Sequence, residues 1–103
     1  MSKTRAIKEI KRIKNFREIK RRTYNGNMET TFIFDIPTRG NILEMFKNCI
    51  VDNYDTYESI CRLIPEILEK NNVEYKFVNQ GLGMLQFGDG FGIEYTVDFP
   101  LNR

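Results

Sequence analysis

The chain has 103 residues, of which 41% are hydrophobic and 13% aromatic, with a net charge of +2. A chain of this size can bury one modest core, so we expect a single domain spanning residues 1–103. The sequence has neither a run of 18 apolar residues nor an N-terminal apolar segment, so we expect a cytoplasmic protein without a membrane span or secretory signal.

The positive charge is concentrated in the first 22 residues. That segment holds 10 basic and 2 acidic residues, whereas residues 23–103 hold 6 basic and 12 acidic residues. Such an asymmetry is typical of a cationic segment that meets a polyanion, attached to a body that the same polyanion repels.

The first predicted element is a basic helix or arm within residues 1–24. From Ile7 to Arg21 the sequence repeats every three residues, as IKE, IKR, IKN, FRE and IKR. Three residues turn an α-helix by about 300°, so the apolar and basic rows both drift around the helix. We therefore expect its first half to pack on the core, while Phe16 and Ile19 reach a second surface, such as a sister subunit.

A turn, a strand and two helices are predicted next. Asn25-Gly26 is typical of a turn, and the alternation of apolar and polar residues over 30–36 predicts a strand. Residues 41–50 and 55–70 each start with a capping residue followed by a glutamate three positions later, and both continue with helical apolar spacing. Pro65 predicts a kink or a restart in the second of these helices.

Two further strands enclose a glycine-rich segment. Alternation over 73–77 and 93–99 predicts the strands. The glycines between residues 81 and 92 predict a hairpin tip or a short extra strand that turns at Asp89-Gly90.

Catalytic chemistry lacks its usual residues. The chain has no histidine, and Cys49 and Cys61 are twelve positions apart, so we interpret them as reduced core residues. Asp35, Glu94 and Asp98 are predicted on outward strand faces, where a carboxylate pair could hold a metal, although solvated carboxylates need none. We expect no catalytic residues, no metal site, no cofactor and no small-molecule substrate.

The predicted order of helix, strand, helix, helix, strand, glycine-rich loop and strand resembles the winged helix-turn-helix family, whose final hairpin is the wing. Length and order are also similar to those of TcpK-like relaxosome accessory proteins of conjugative plasmids. One alanine against twelve isoleucines and ten asparagines indicates an AT-rich bacterial, plasmid or phage genome. The resemblance implies an α+β fold with a small antiparallel sheet, and DNA binding.

The third predicted helix departs from the family pattern. In the family this helix normally enters the major groove, but here it would meet phosphates with a net negative charge. Its charged residues are Glu58, Glu66 and Glu69 against Arg62 and Lys70. Because phosphate neutralisation provides much of the affinity for DNA, we expect the basic N-terminal helix to be the contacting element instead.

The sequence therefore predicts a non-enzymatic, sequence-selective binder of double-stranded DNA from a plasmid or phage, acting as a homodimer. The candidate DNA-binding residues are Lys8, Lys11, Arg12, Lys14, Arg17, Lys20, Arg21 and Arg22, with Arg39, Asn79 and Gln80 as secondary candidates.

Three alternatives remain open at this point. The main one is a small phage or plasmid protein that binds and inhibits a host protein, such as a nucleic-acid-binding enzyme. A second is a solvated helix whose lysines only maintain solubility. The third is a basic helix on anionic lipid, which the drifting apolar row and the absence of tryptophan disfavour.

Overall fold

Two helices and a four-stranded antiparallel sheet make up the fold in a computed structural model, which describes residues 2–36, 42–85 and 90–101, without the side chains of 42–52. In chain order the elements are α1 (Ser2–Lys11), β1 (Phe16–Tyr24), β2 (Asn27–Asp35), α2 (Ile42–Lys70), β3 (Lys76–Met84) and β4 (Phe91–Pro100). The strand order in the sheet is β1-β2-β4-β3. The α+β class with a small antiparallel sheet is confirmed.

Residues 16–24 form a strand, so the prediction of a basic helix through this segment is wrong. The helix ends at Lys11, and Asn15 then adopts a positive φ of 73°, which no right-handed helix can continue. Asn25 and Gly26 have φ values of 48° and 77°, as in the two-residue turns that join antiparallel strands. The turn aligns β1 with β2, and this pairing overrides the three-residue repeat.

The two helices predicted after the first strand are one helix of 29 residues, α2. Asp55 therefore lies inside the helix instead of capping a new one. Residues 51–54 contain no glycine or proline to break the helix, and an exposed aspartate is tolerated in its interior. The predicted restart at Pro65 is wrong, because the helix continues to Lys70. The predicted cap Asn41 lies outside the described residues.

The predicted strands over 30–36 and 93–99 are confirmed as β2 and β4. The strand predicted over 73–77 is displaced, because β3 begins at Lys76 and extends through Gly81 and Gly83. These two glycines were expected in a hairpin tip or a short extra strand; they lie in β3, in register with Glu94 and Gly92 of β4.

The β3–β4 hairpin is closed by a hydrogen bond. The N–H of Leu85 donates to the carbonyl oxygen of Gly90 over 2.8 Å. The predicted turn at Asp89-Gly90 falls partly on residues 86–89, which lie outside the described residues.

Both helices pack on one face of the sheet, termed the helical face. Phe32 and Phe34 of β2 and Phe99 of β4 form the centre of the core there, against Ile10 of α1 and Ile64 of α2. The opposite face is termed the open face, because no helix of the described chain covers it. None of the described helices combines the length and apolar character needed to cross a membrane.

The observed order is helix, strand, strand, helix, strand, strand. It replaces the winged-helix order expected from the sequence. Within the described residues, one helix over 42–70 lies between β2 and β3, where a winged-helix protein has two successive helices. Residues 16–24, expected in the first helix, form a strand.

Candidate nucleic-acid interface

Helix α1 is anchored to the body by its apolar side and by its one acidic residue. Ala6 and Ile10 are fully buried. The Nζ of Lys70 lies 2.7 Å from an oxygen of Glu9, and the side-chain amide of Asn71 donates to the other oxygen over 3.3 Å. Hydrogen bonds from Lys70 and Asn71 lower the pKa of the Glu9 carboxyl below its ordinary value of 4.5.

The outer side of α1 and the turn after it carry only basic charge. We term this group the α1 basic surface; its members are Arg5, Lys8, Lys11, Arg12 and Lys14. All five are exposed, and none has a carboxylate within 4.0 Å in the part of the chain that the structure describes. Lys3 differs from them, since its Nζ lies 4.8 Å from the centre of the Phe99 ring. The α1 basic surface is thus a set of exposed cations that form no close ion pair in the described chain.

Sequence reasoning did not include Arg5 among the candidates. Its position was available from the sequence, because Arg5, Lys8 and Lys11 follow each other at three-residue intervals. Over only two steps this spacing keeps the three side chains on one side of a short helix.

The candidates on β1 are in a different electrostatic setting. Arg17, Lys20 and Arg22 lie on or beside the open face and interact with carboxylates. The ion pairs join Arg17 to Glu18 and to Asp35 at 3.6 Å each, Lys20 to Glu18 at 3.8 Å, and Arg22 to Glu29 at 3.0 Å. Their charge is therefore largely balanced within the sheet.

The open face as a whole is slightly acidic. Strand register, together with the ion pairs of Arg17, places four basic and five acidic side chains on or beside it. They are Arg17, Lys20, Arg22 and Lys76 against Glu18, Glu29, Asp35, Glu94 and Asp98. The outward placement predicted for the last three carboxylates is confirmed by their register. A polyanion would gain little net attraction from this face.

Arg21 stands apart from its neighbours on β1. It lies in register with Thr30, two residues from the Ile19–Phe32 pair that joins the core, so strand alternation places Arg21 on the helical face. It shares that face with α1. No carboxylate of the described chain lies within ion-pair distance of its guanidinium.

Asn79 and Gln80 were predicted to act as a polar pair, but the strand directs them to opposite faces. Asn79 is in register with Thr96 and borders a groove of about 580 Å³ on the open face. The hydroxyls of Thr31 and Thr96 share a hydrogen bond of 2.9 Å in that groove. Gln80 instead donates from Nε2 to the Tyr57 hydroxyl over 3.1 Å, so it connects β3 to α2. Arg39 lies outside the described residues.

The described chain offers no activated nucleophile at its half-buried cysteine. Burial raises the pKa of the Cys61 thiol to about 11, against a smaller lowering by the hydrogen bond with Tyr57, so the thiol is protonated at neutral pH. Among the described residues, no three side chains of the histidine, cysteine, aspartate or glutamate types cluster as metal ligands would. The side chain of Cys49 lies outside the described part of the structure.

No family model matches this chain, and no curated protein gives a significant match.

Proposed function

We propose that this protein binds double-stranded DNA through the α1 basic surface. The observation that supports this most strongly is the placement of five exposed cations on one short helix and the turn after it, without a carboxylate partner. The only acidic residue of α1, Glu9, is held by Lys70 and Asn71. A helix of ten residues is about 15 Å long, and duplex DNA presents roughly one negative charge per 1.7 Å of its axis.

Binding by this surface gives affinity by releasing counterions from the phosphates. The open face offers the same phosphates little net attraction, so the protein would approach the duplex with α1 first. Arg21, on the helical face of β1, extends the contact toward the edge of the sheet.

Sequence selectivity requires side chains that reach base edges. Arg5 and Arg12 supply planar, bidentate donors of the kind that pair with guanine in the major groove. In this proposal, the β3–β4 hairpin is the only counterpart of a winged-helix feature, the wing. DNA contact is made by α1. The setting that we propose is a plasmid or phage, in conjugative transfer or regulation, in keeping with the sequence composition.

Salt dependence of DNA binding, measured by fluorescence anisotropy, tests the proposal. With five phosphates neutralised, log K falls against log salt with a slope of roughly −4 to −5 per bound protomer. Replacing Lys8, Lys11, Arg12 and Lys14 together by Gln brings the slope to about −1 to −2 per protomer, because Arg5 and Arg21 remain. The matched control replaces Arg17, Lys20, Arg22 and Lys76 by Gln, which removes the same charge from the open face and leaves most of the slope.

Two results would overturn the proposal. Equal losses in the two quadruple variants would show that total charge matters and that the α1 basic surface does not. No binding of the folded wild-type protein at about 50 mM salt would exclude DNA as the ligand and favour the alternative, a host protein with an acidic groove.

A further inference from the structure

The two edges of the sheet differ in charge and in exposed apolar area. The β1 edge carries four basic residues between 17 and 22. The β3 edge has no charged residue from Phe77 to Met84. It also holds three of the largest exposed apolar side chains of the described chain: Phe77 at 48%, Val78 at 41% and Met84 at 62%. Edge strands of β-sheets usually carry charged residues, which prevent pairing with another chain. β3 has no such residue over eight positions.

The backbone of β3 is arranged to accept another strand. In an antiparallel ladder, hydrogen-bonded residue pairs alternate with pairs that are not hydrogen-bonded. The bond between Leu85 and Gly90 fixes which positions of β3 belong to each kind. The same alternation directs the N–H and carbonyl groups of Gln80, Leu82 and Met84 away from β4. Among the described strands, β3 pairs with β4 alone, so these groups form a free hydrogen-bonding edge.

We propose that β3 pairs with β3 of a second copy of this chain, antiparallel across a two-fold axis, to form an eight-stranded sheet. A two-fold contact places each patch against itself, so a charge near its centre would face a like charge. The uncharged run from Phe77 to Met84 meets this condition. The β1 edge does not, because Lys20, Arg21 and Arg22 would meet the same residues of the other copy.

The surface beside β3 also suits a second copy. A groove of about 300 Å³ lies between α2 and β3, bordered by Tyr54, which is 47% exposed, and by Glu58, Arg62 and Gln80. An added Cβ at Gly81 meets no atom within 4 Å, so no side chain blocks the approach there.

This pairing has a consequence for DNA binding that rests on the proposed function. The axis is perpendicular to the sheet, so both copies of α1 lie on the same face of the dimer. Because α1 contacts both β1 and α2, while α2 contacts β3, both copies of α2 lie between the two α1 helices of the dimer. The dimer thus presents two α1 basic surfaces on one face, as a protein that binds two half-sites of one duplex requires.

The oligomeric state tests the proposal without DNA. Light scattering after size exclusion is expected to give twice the 12.2 kDa chain mass for the wild type. Gly81→Lys puts a charge near the middle of the uncharged run, where the monomer has room for it, and is expected to give the monomer mass. Thr23→Lys puts the same charge on the β1 edge and is expected to stay dimeric. Circular dichroism verifies folding, and Asn79→Lys replaces Gly81→Lys if the latter does not fold.

A monomeric wild type would overturn the proposal, and so would a folded Gly81→Lys or Asn79→Lys variant that stays dimeric. DNA titration separates this result from the proposed function. If both inferences hold, the salt slope of the wild-type dimer is roughly −9 and that of Gly81→Lys falls to about half, although the variant gains a positive charge. A dimer that does not bind DNA would preserve the β3 interface and exclude only the DNA function.

Discussion

At the scale of single residues, two glycines of the β3–β4 hairpin have opposite surroundings. An added Cβ at Gly92 would lie 2.5 Å from the backbone oxygen of Phe34 and 3.1 Å from a methyl group of Leu85. The backbone oxygen belongs to the neighbouring strand β2 and cannot move without disturbing the ladder. Gly81 has no atom within 4 Å of the same position.

Gly92→Ala is therefore expected to lower the free energy of unfolding by about 1–3 kcal/mol, because the methyl group overpacks the sheet. Gly81→Ala is expected to change it by less than about 0.5 kcal/mol. Urea denaturation followed by circular dichroism measures both. Similar values for the two variants would contradict the close approach of β2 to Gly92.

The Glu9 anchor predicts a pH-dependent contribution to stability. The pKa of Glu9 is lowered in the folded chain, so its stabilisation is present above the ordinary carboxyl pKa and is lost as pH falls through the folded value. Glu9→Gln is expected to lower the urea midpoint at pH 7 and to leave it nearly unchanged at an acidic pH where the carboxyl is protonated. Glu66→Gln, in the exposed pair with Arg62, is the control and is expected to have little effect at either pH. An equal loss from Glu9→Gln at both pH values would show that its ion pair is not the cause.

At the scale of elements, β1 shows which features could be predicted from the sequence and which could not. The concentration of charge in residues 1–22 was readable, and the part of it that lies on α1 and in the turn after it is exposed. The secondary structure of residues 16–24 was not, because a three-residue repeat of isoleucine and basic residues specifies neither a helical stripe nor a strand face. The conformation is decided by Asn15, by the turn at Asn25-Gly26 and by pairing with β2, which is a tertiary contact.

The same limit applies to α2 and to the β3 glycines. A capping pattern at Asp55 looks the same at a helix start as on the exposed side of a longer helix. Gly81 and Gly83 indicate a loop locally, yet the register with β4 keeps them in a strand. Which basic residues lack a counter-charge also depended on the register, since Arg22 meets Glu29 only across the β1–β2 ladder.

The β1–β2 turn gives a prediction at this scale. Gly26 has a φ of 77°, a conformation that costs residues with a Cβ about 1–2 kcal/mol. Gly26→Ala is expected to lower the free energy of unfolding by about that amount, while Gly26→Asn is expected to lose less, because Asn tolerates this region. Urea midpoints of the two variants check the order, and a neutral Gly26→Ala would contradict the turn geometry.

At the scale of the whole molecule, charge and pairing surfaces are separated. The α1 basic surface lies at one side of the helical face, the acidic open face is opposite, and the uncharged β3 edge is farthest from β1 along the sheet. Under both proposals, one molecule would bind a polyanion with α1 and a second copy with β3, and neither contact would obstruct the other.

The central claim is that α1 is the contacting element. Its most direct test is the change in backbone amide chemical shifts of the isotope-labelled protein during titration with a short DNA duplex. We expect the largest changes in residues 3–15 and at Arg21, and little change in the open-face residues of β2 and β4. Changes concentrated on the open face, or none in α1 while DNA is bound, would contradict the account.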